Sequence, residues 1–349
     1  MAAKSIFAMS RLKCNLEKTN QTLFFSLVDY RNDLFTSNDP NKIIEFYDGF
    51  ENRDQLIQWM KERPKGVSYI HEVEGDKDVI VVIPTADFNG KYARECRDNI
   101  FKGLHMVFVE SGGKGDVYFN YAHNCNVGIK RAMKYNPKWV VVSNDDMYKI
   151  DDSAVLRKQL ESIDHSKVKT VFTSPSNYHS RPMLIASPRV TYNILLALFS
   201  IPSRKWRIQK QTYDLLTKYN YKVFYPIGDY QYSSLDENGM GWFASNLLDR
   251  LCFKGIHRFI NSLSFGIYSG VYIKKMHGML LEETYINEME DTDISVRLSR
   301  EMDDETAFIK FKIGEYIGSS IGNGINRTLR VVPGYTYFAH KVDTGDLIL

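Results

Sequence analysis

The sequence predicts an α/β protein with a mostly parallel central sheet flanked by helices, and three observations lead there. Short β-branched runs at 79–84 (VIVVIP), 104–110 (LHMVFVE) and 139–143 (WVVVS) are apolar from end to end, the mark of strands buried on both faces. Segments of helical period stand between and after them, at 91–103, 119–135 and 151–163. The spacing is close enough to join successive strands as βαβ units, which makes those strands parallel.

Composition narrows the class. The 349 residues are 44% hydrophobic with only 10 Pro and 22 Gly, which excludes a disordered, collagen-like or low-complexity chain. Forty-five basic residues against 42 acidic ones leave +3, too small an excess to argue for nucleic acid as partner. Cys14, Cys96, Cys125 and Cys252 form no CxxC pair and no Cys/His ligand spacing, so neither zinc nor a disulfide framework is expected. The longest strongly apolar run, 194–201 (ILLALFSI), falls well short of the ~20 residues of a spanning helix. With no signal-like stretch at the start, the expectation is a cytoplasmic protein.

The elements follow in order. Residues 1–77 read as an N-terminal extension of underivable function, with a helix at 52–63 stopped by Pro64 and a strand at 67–73. A charged turn at 74–78 precedes the regular domain, 78–315. Its first half, 78–174, holds the strands 79–84, 104–110, 139–143 and 168–174; helix 91–103 stops at Gly103, and helix 151–163 takes Asp151 or Asp152 as N-cap. Its second half, 175–315, contains a basic stretch at 203–222, an amphipathic helix at 242–263, regular structure at 265–275, a loop entering a helix at 287–302 and a strand at 307–313. A Gly-rich, aromatic tail, 316–349, ends the chain.

In parallel α/β sheets, ligands bind beyond the carboxyl ends of the strands, so polar residues there carry the chemistry. The first strand ends in Thr85-Ala86-Asp87, the second in Glu110-Ser111-Gly112, and the third in Ser143-Asn144-Asp145-Asp146. Acidic ends along one edge repel unless a cation or hydrogen-bond donors lie between them, and a divalent metal with a phosphate ligand is the simplest occupant. Asp145 and Asp146 can divide the work between a ribose hydroxyl and the metal, or one of them merely caps the next helix. The 111–116 loop (SGGKGD) is a weak phosphate nest without P-loop spacing. A second acidic group, Glu290-Asp291-Thr292-Asp293, starts a helix, where carboxylates also suit the helix dipole. It follows the small pair Ser269-Gly270 by about twenty residues.

Six motifs in register, 83–89 (IPTADFN), 108–116 (FVESGGKGD), 122–132 (AHNCNVGIKRA), 139–146, 269–275 (SGVYIKK) and 290–293 (EDTD), resemble glycosyltransferase family 2, over residues 79–313. The resemblance implies a GT-A (Rossmann-like) fold and an inverting transfer of sugar from a nucleotide-diphosphate sugar to a saccharide or lipid-linked acceptor. It implies that Thr85, Asp87 and Glu110 border the nucleoside, that Asn126 lines the donor site, and that Asp145 contacts the donor. Asp146 would ligate Mg²⁺ or Mn²⁺, Asp291 would be the general base and Glu290 would contact the acceptor. The His that many members carry in a Gly/Ser-rich stretch has no counterpart in 314–324; His340, further on, is the possible substitute. The alternatives are a non-catalytic nucleotide-sugar or carbohydrate-binding module, and a sugar nucleotidyltransferase, whose Arg/Lys-bearing Gly-rich loop 86–94 matches poorly. Segments 203–222 and 242–263 would be a peripheral contact with the inner face of a membrane, or a solvated basic face and a helix packed on the core or on a second subunit.

Overall fold

The computed structural model describes residues 34–111, 118–173, 180–185, 226–227, 256–286, 288–300, 306–316, 322 and 324–347. In chain order, the N-terminal elements are α1 (Pro40–Asp48), α2 (Arg53–Glu62), β1 (Ser68–Val73), β2 (Asp76–Thr85), α3 (Lys91–Glu95) and β3 (Leu104–Ser111). Then come α4 (Tyr121–Ala132), β4 (Trp139–Ser143), β5 (Met147–Lys149), α5 (Ser153–Glu161), β6 (Thr170–Thr173), β7 (Ser180–Ile185), β8 (Pro226–Ile227) and β9 (Ile256–Asn261). The C-terminal part is β10 (Phe265–Ser269), α6 (Gly270–Lys275), α7 (Glu290–Arg300), β11 (Thr306–Ile309), β12 (Ile313–Glu315), α8 (Gly324–Arg330) and α9 (Val332–Thr344).

The apolar runs form one seven-stranded sheet, in the order β1-β3-β2-β4-β10-β6-β11. β2 lies parallel to β3 and β4, and β11 parallel to β6, while β10 runs antiparallel between β4 and β6 and β1 closes one edge antiparallel to β3. The continuous hydrophobicity of β2 follows from having no wet face: Val79, Val81 and Ile83 feed one core, and Ile80 and Val82 the other. The first core is shared with Cys96 and Ile100 and with Leu156 of α5; the second with Ala122, Cys125 and Ile129 of α4 and Ile294 of α7. α4 lies so close to the sheet that a Cβ at Gly128 would stand 2.8 Å from the Val109 side chain and closer still to Val82.

A third core joins the two ends of the chain. Ile43 and Tyr47 of α1, Leu56 and Trp59 of α2, Leu329 of α8 and Val332 and Phe338 of α9 pack together with Tyr285, Met289 and Val296 around α7. Tyr47 donates its hydroxyl to the carbonyl of Leu329 (2.6 Å), and Arg330 donates to the carbonyls of Leu34 and Ser37. Residues read as an N-terminal extension and a tail thus share one hydrophobic layer.

Several expectations are corrected. Residues 256–261, placed in a helix over 242–263, are β9, paired along its whole length with β7; the apolar positions Ile256, Phe259 and Ile260 are too few to fix a period, and the partner strand decides. The rest of that helix, the 203–222 stretch and most of the 111–116 loop lie outside the described residues. The strand expected at 307–313 is split into β11 and β12, which belong to different sheets, and the turn at 74–78 is cut short because β2 begins at Asp76, with a bulge before Ile80. The helix at 91–103 passes from α3 into a π-turn over Cys96–Ile100. Asp152 stands at the N-cap of α5 without a side-chain cap bond, while Asp151 Oδ2 instead accepts from the amide of Lys312 (2.8 Å). Among the described residues no helix is long and apolar enough to cross a membrane.

The tight seat of α4 is testable. Overpacking at Gly128→Ala costs about 1–3 kcal/mol, partly offset by ~1 kcal/mol of helix propensity. The guanidinium midpoint is therefore expected to fall, whereas a midpoint at or above wild type would show that α4 can move off the sheet.

Candidate active site

The parallel strands β3, β2 and β4 deliver their carboxyl ends side by side. Thr85 pairs in register with Glu110, and the Thr85 hydroxyl donates to Asp145 Oδ2 across to the residues after β4 (2.6 Å). The Cys96 thiol reaches the Asp145 carbonyl at 3.3 Å. Burial raises the Asp145 carboxyl above its ordinary range, against the pull of the Thr85 hydrogen bond. Asp146 is pushed up to about 6, first by burial and then by the charge of Asp145. The Asp146 carbonyl accepts from the Tyr316 amide (2.8 Å), so the small β5–β12 sheet braces this corner. Asn144 donates to Glu315 Oε1 (2.8 Å) and its own Oδ1 faces the Tyr121 hydroxyl (2.9 Å), whose one proton is shared with the carbonyl of Leu263 (2.7 Å).

α7 brings the second acidic group to the same side. Glu290 is 6% exposed, and its buried Oε2 has no hydrogen-bond partner among the described residues. Burial, and then the charge of Asp291, hold it well above the usual carboxylate range. Its field also reaches Tyr121 and Cys125, whose own upward shifts come first from burial. Tyr121, at the start of α4, therefore hydrogen-bonds Asn144 and lies within the field of Glu290. Asp291 is partly exposed, and its Oδ1 accepts from the amide of Thr292 (2.6 Å). Asp293, fully buried, is bound on all sides by Arg297 Nε (2.6 Å), Lys341 Nζ (2.5 Å) and the Tyr285 hydroxyl (3.0 Å). Within the EDTD run, then, the last acid is consumed by structural ion pairs, while Glu290 keeps an unpartnered carboxyl oxygen and Asp291 is partly exposed.

The other expected site residues divide. Glu110 is paired with His71 Nε2 at 2.7 Å, and the His71 ring lies parallel on Phe88 at 4.3 Å, with the Arg97 guanidinium 5.0 Å from the Phe88 ring centre. Asp87 is exposed and folds the turn after β2, accepting from the Asn89 amide at 2.9 Å. Asn126 spends both amide hydrogens on the Leu281 carbonyl (2.8 Å) and Glu283 (3.1 Å), and its oxygen accepts from the Leu281 amide, so it pins a loop. Ser269-Gly270, read with the acidic motif, lies at the opposite edge: β10 is antiparallel, so Ser269 pairs with Trp139 at the start of β4 and caps α6 with its hydroxyl. His340 stacks on Tyr337 of its own helix and has its pKa lowered by burial and by Arg53 of α2, so it belongs to the terminal helical layer. Tyr121 and Glu315 were missed, because an aromatic in a helix and an acid in a short strand carry no spacing signal.

A cation at this corner would rest on Asp146 with Asp145 behind it. The fit is a partial one: no group of three or more His, Cys, Asp or Glu suited to a metal occurs among the described residues, so ligand oxygens would have to complete the shell. The crowding of two desolvated carboxylates is what such an ion would relieve.

Two outcomes are expected. Asp293→Asn leaves Lys341 and Arg297 short of a countercharge and costs about 3–5 kcal/mol in denaturant unfolding; a loss under ~1 kcal/mol would demote this hub. In metal-free buffer, Asp146 binds its proton more tightly folded than unfolded, so its contribution to stability falls as pH rises from about 4 to about 6. Asp146→Asn should then be more stable than wild type at pH 8 by about 1 kcal/mol, after allowance for solvent screening, with the two curves converging below about pH 4. No protein-family model, curated protein or solved structure matches the chain, so the site rests on its own geometry.

Proposed function

We propose that this chain is a GT-A-type glycosyltransferase that moves a sugar from a nucleotide-diphosphate donor to an acceptor hydroxyl with inversion. The observation that carries the reading is the desolvated Asp145–Asp146 pair after β4, joined by Thr85, together with a second buried acid, Glu290 at the start of α7, whose charge reaches Tyr121, the hydrogen-bond partner of Asn144. Transfer makes two demands. The acceptor oxygen must lose a proton as it bonds to the anomeric carbon, while the bond from that carbon to the diphosphate oxygen breaks and its electron pair leaves with the diphosphate.

Glu290, buried with one carboxyl oxygen unpartnered and its pKa raised by burial, is suited to hydrogen-bond an acceptor, and the partly exposed Asp291 is suited to take up the hydroxyl proton. With Asp291 as the base and no second carboxylate assigned as a nucleophile among the described residues, displacement in line gives inversion. Thr85 fixes Asp145 for a donor hydroxyl, and the Glu110–His71 pair beside Phe88 offers polar and aromatic groups to a nucleobase. A divalent ion held by Asp146, when bound, would offset the charge gathering on the diphosphate.

The test is donor hydrolysis and transfer across UDP-, GDP- and dTDP-sugars, with and without Mn²⁺. Asp291→Ala is expected to lower turnover by about 10²–10⁴-fold, the usual worth of a general base. Asp146→Ala should abolish stimulation by Mn²⁺. Turnover unchanged in both variants would overturn the assignment.

A further inference from the structure

Three exposed tyrosines meet beside Asp146. Tyr92 stands in the first turn of α3, Tyr148 in β5 and Tyr316 directly after β12, and they are 43%, 39% and 48% exposed. Their rings form a row with Tyr316 in the middle: 6.1 Å from Tyr92, tilted by 39°, and 5.1 Å from Tyr148, tilted by 52°. Single exposed aromatics are ordinary on a protein surface; three in a row, the outer two each against Tyr316, keep a patch of apolar ring surface in water at the rim of a polar site.

The backbone is shaped to hold this row. Tyr148 pairs directly opposite Gly314 in the antiparallel β5–β12 ladder, and its ring lies across the glycine so closely that a Cβ there would overlap it. The amide of Tyr316 is fixed to the carbonyl of Asp146. Glu315, between them in sequence, is held by Asn144. Tyr148 and Tyr316 are therefore held by the same backbone bonds that brace the acidic corner, and Tyr92 meets them from α3.

The chemistry of the row selects a ligand. With no cation bound, carboxylates at Asp146 and Glu315 disfavour phosphates, nucleic acid and acidic peptides, yet accept hydrogen bonds from hydroxyls. Tilted rings in contact with one another leave no slot for a flat base to insert, but they present faces to a puckered ring whose C–H groups point one way and whose hydroxyls point outward. We propose that Tyr92, Tyr148 and Tyr316 form a saccharide-binding platform that seats the pyranose rings of a neutral carbohydrate acceptor next to Asp146. The acceptor role rests on the glycosyl-transfer reading; the binding of sugar does not.

Saturation-transfer NMR on the full chain, with maltose, cellobiose, lactose and mannobiose as probes and without donor or metal, tests this. Wild-type protein is expected to transfer saturation to the C–H protons of at least one disaccharide. Tyr148→Ala/Tyr316→Ala, whose lost side chains are solvent-exposed, should keep its circular dichroism and bind about tenfold or more weakly, a change of ~1.4 kcal/mol. Gly314→Ala, which keeps all three tyrosines but displaces one ring, should weaken binding as well. No transfer from wild-type protein to any of the four sugars, or undiminished transfer from the double variant, would overturn the platform. Sugar binding in a protein that hydrolyses no donor would leave the platform standing and remove the glycosyl-transfer reading instead.

Discussion

The central strand β2 has no face toward water, and the rest of the molecule is arranged around that constraint. Its alternate residues feed two separate cores, so helices must cover both sides of the sheet. Its two neighbours, β3 and β4, pair with it in parallel, which aligns three carboxyl ends at one edge. Its last residue, Thr85, is where apolar burial stops, and its hydroxyl holds Asp145 at that boundary. The carboxylates beyond β4 are costly to desolvate, and they sit there because the strand beneath them is dry.

That same hydrophobic logic explains which parts of the fold were legible in the sequence. Runs such as VIVVIP and WVVVS report burial on both faces directly, and their strands begin and end within a few residues of expectation. The stretch around 256–261 does not, because its apolar residues fit both a helix face and a strand, and only its pairing with β7 settles the matter. The antiparallel sense of β10 was equally invisible. It moves Ser269 to the far edge and leaves Phe265, paired with Ser143, beside Asn144, so a motif that looked contiguous in sequence straddles the sheet.

Within the site, the sequence distinguishes positions but not roles. Asp291 and Asp293 are two residues apart at a helix start and look alike on paper. In the fold, Asp293 is consumed by Arg297, Lys341 and Tyr285, while Asp291 keeps access to solvent. The difference comes from Lys341 of α9, a partner 48 residues further on, which no local pattern announces. Asn126 shows the converse: an asparagine expected from the sequence to line the site, whose amide is spent entirely on holding the loop at 281–283.

The terminal helical layer has a consequence for biosynthesis. Tyr47 waits for a partner 282 positions downstream, and the same is broadly true of the apolar faces of α1 and α2, whose cover is supplied by α8, α9 and the segment entering α7. At ribosomal speeds of ~5–20 residues per second, that interval is roughly a quarter of a minute to a minute. Through all of it, Trp59, Leu56 and Ile43 must remain unsheltered on the nascent chain, a natural substrate for a holding chaperone. The sheet between them can form meanwhile, so assembly is vectorial, and the helix bearing Glu290 and Asp291 is locked only when the last helices dock.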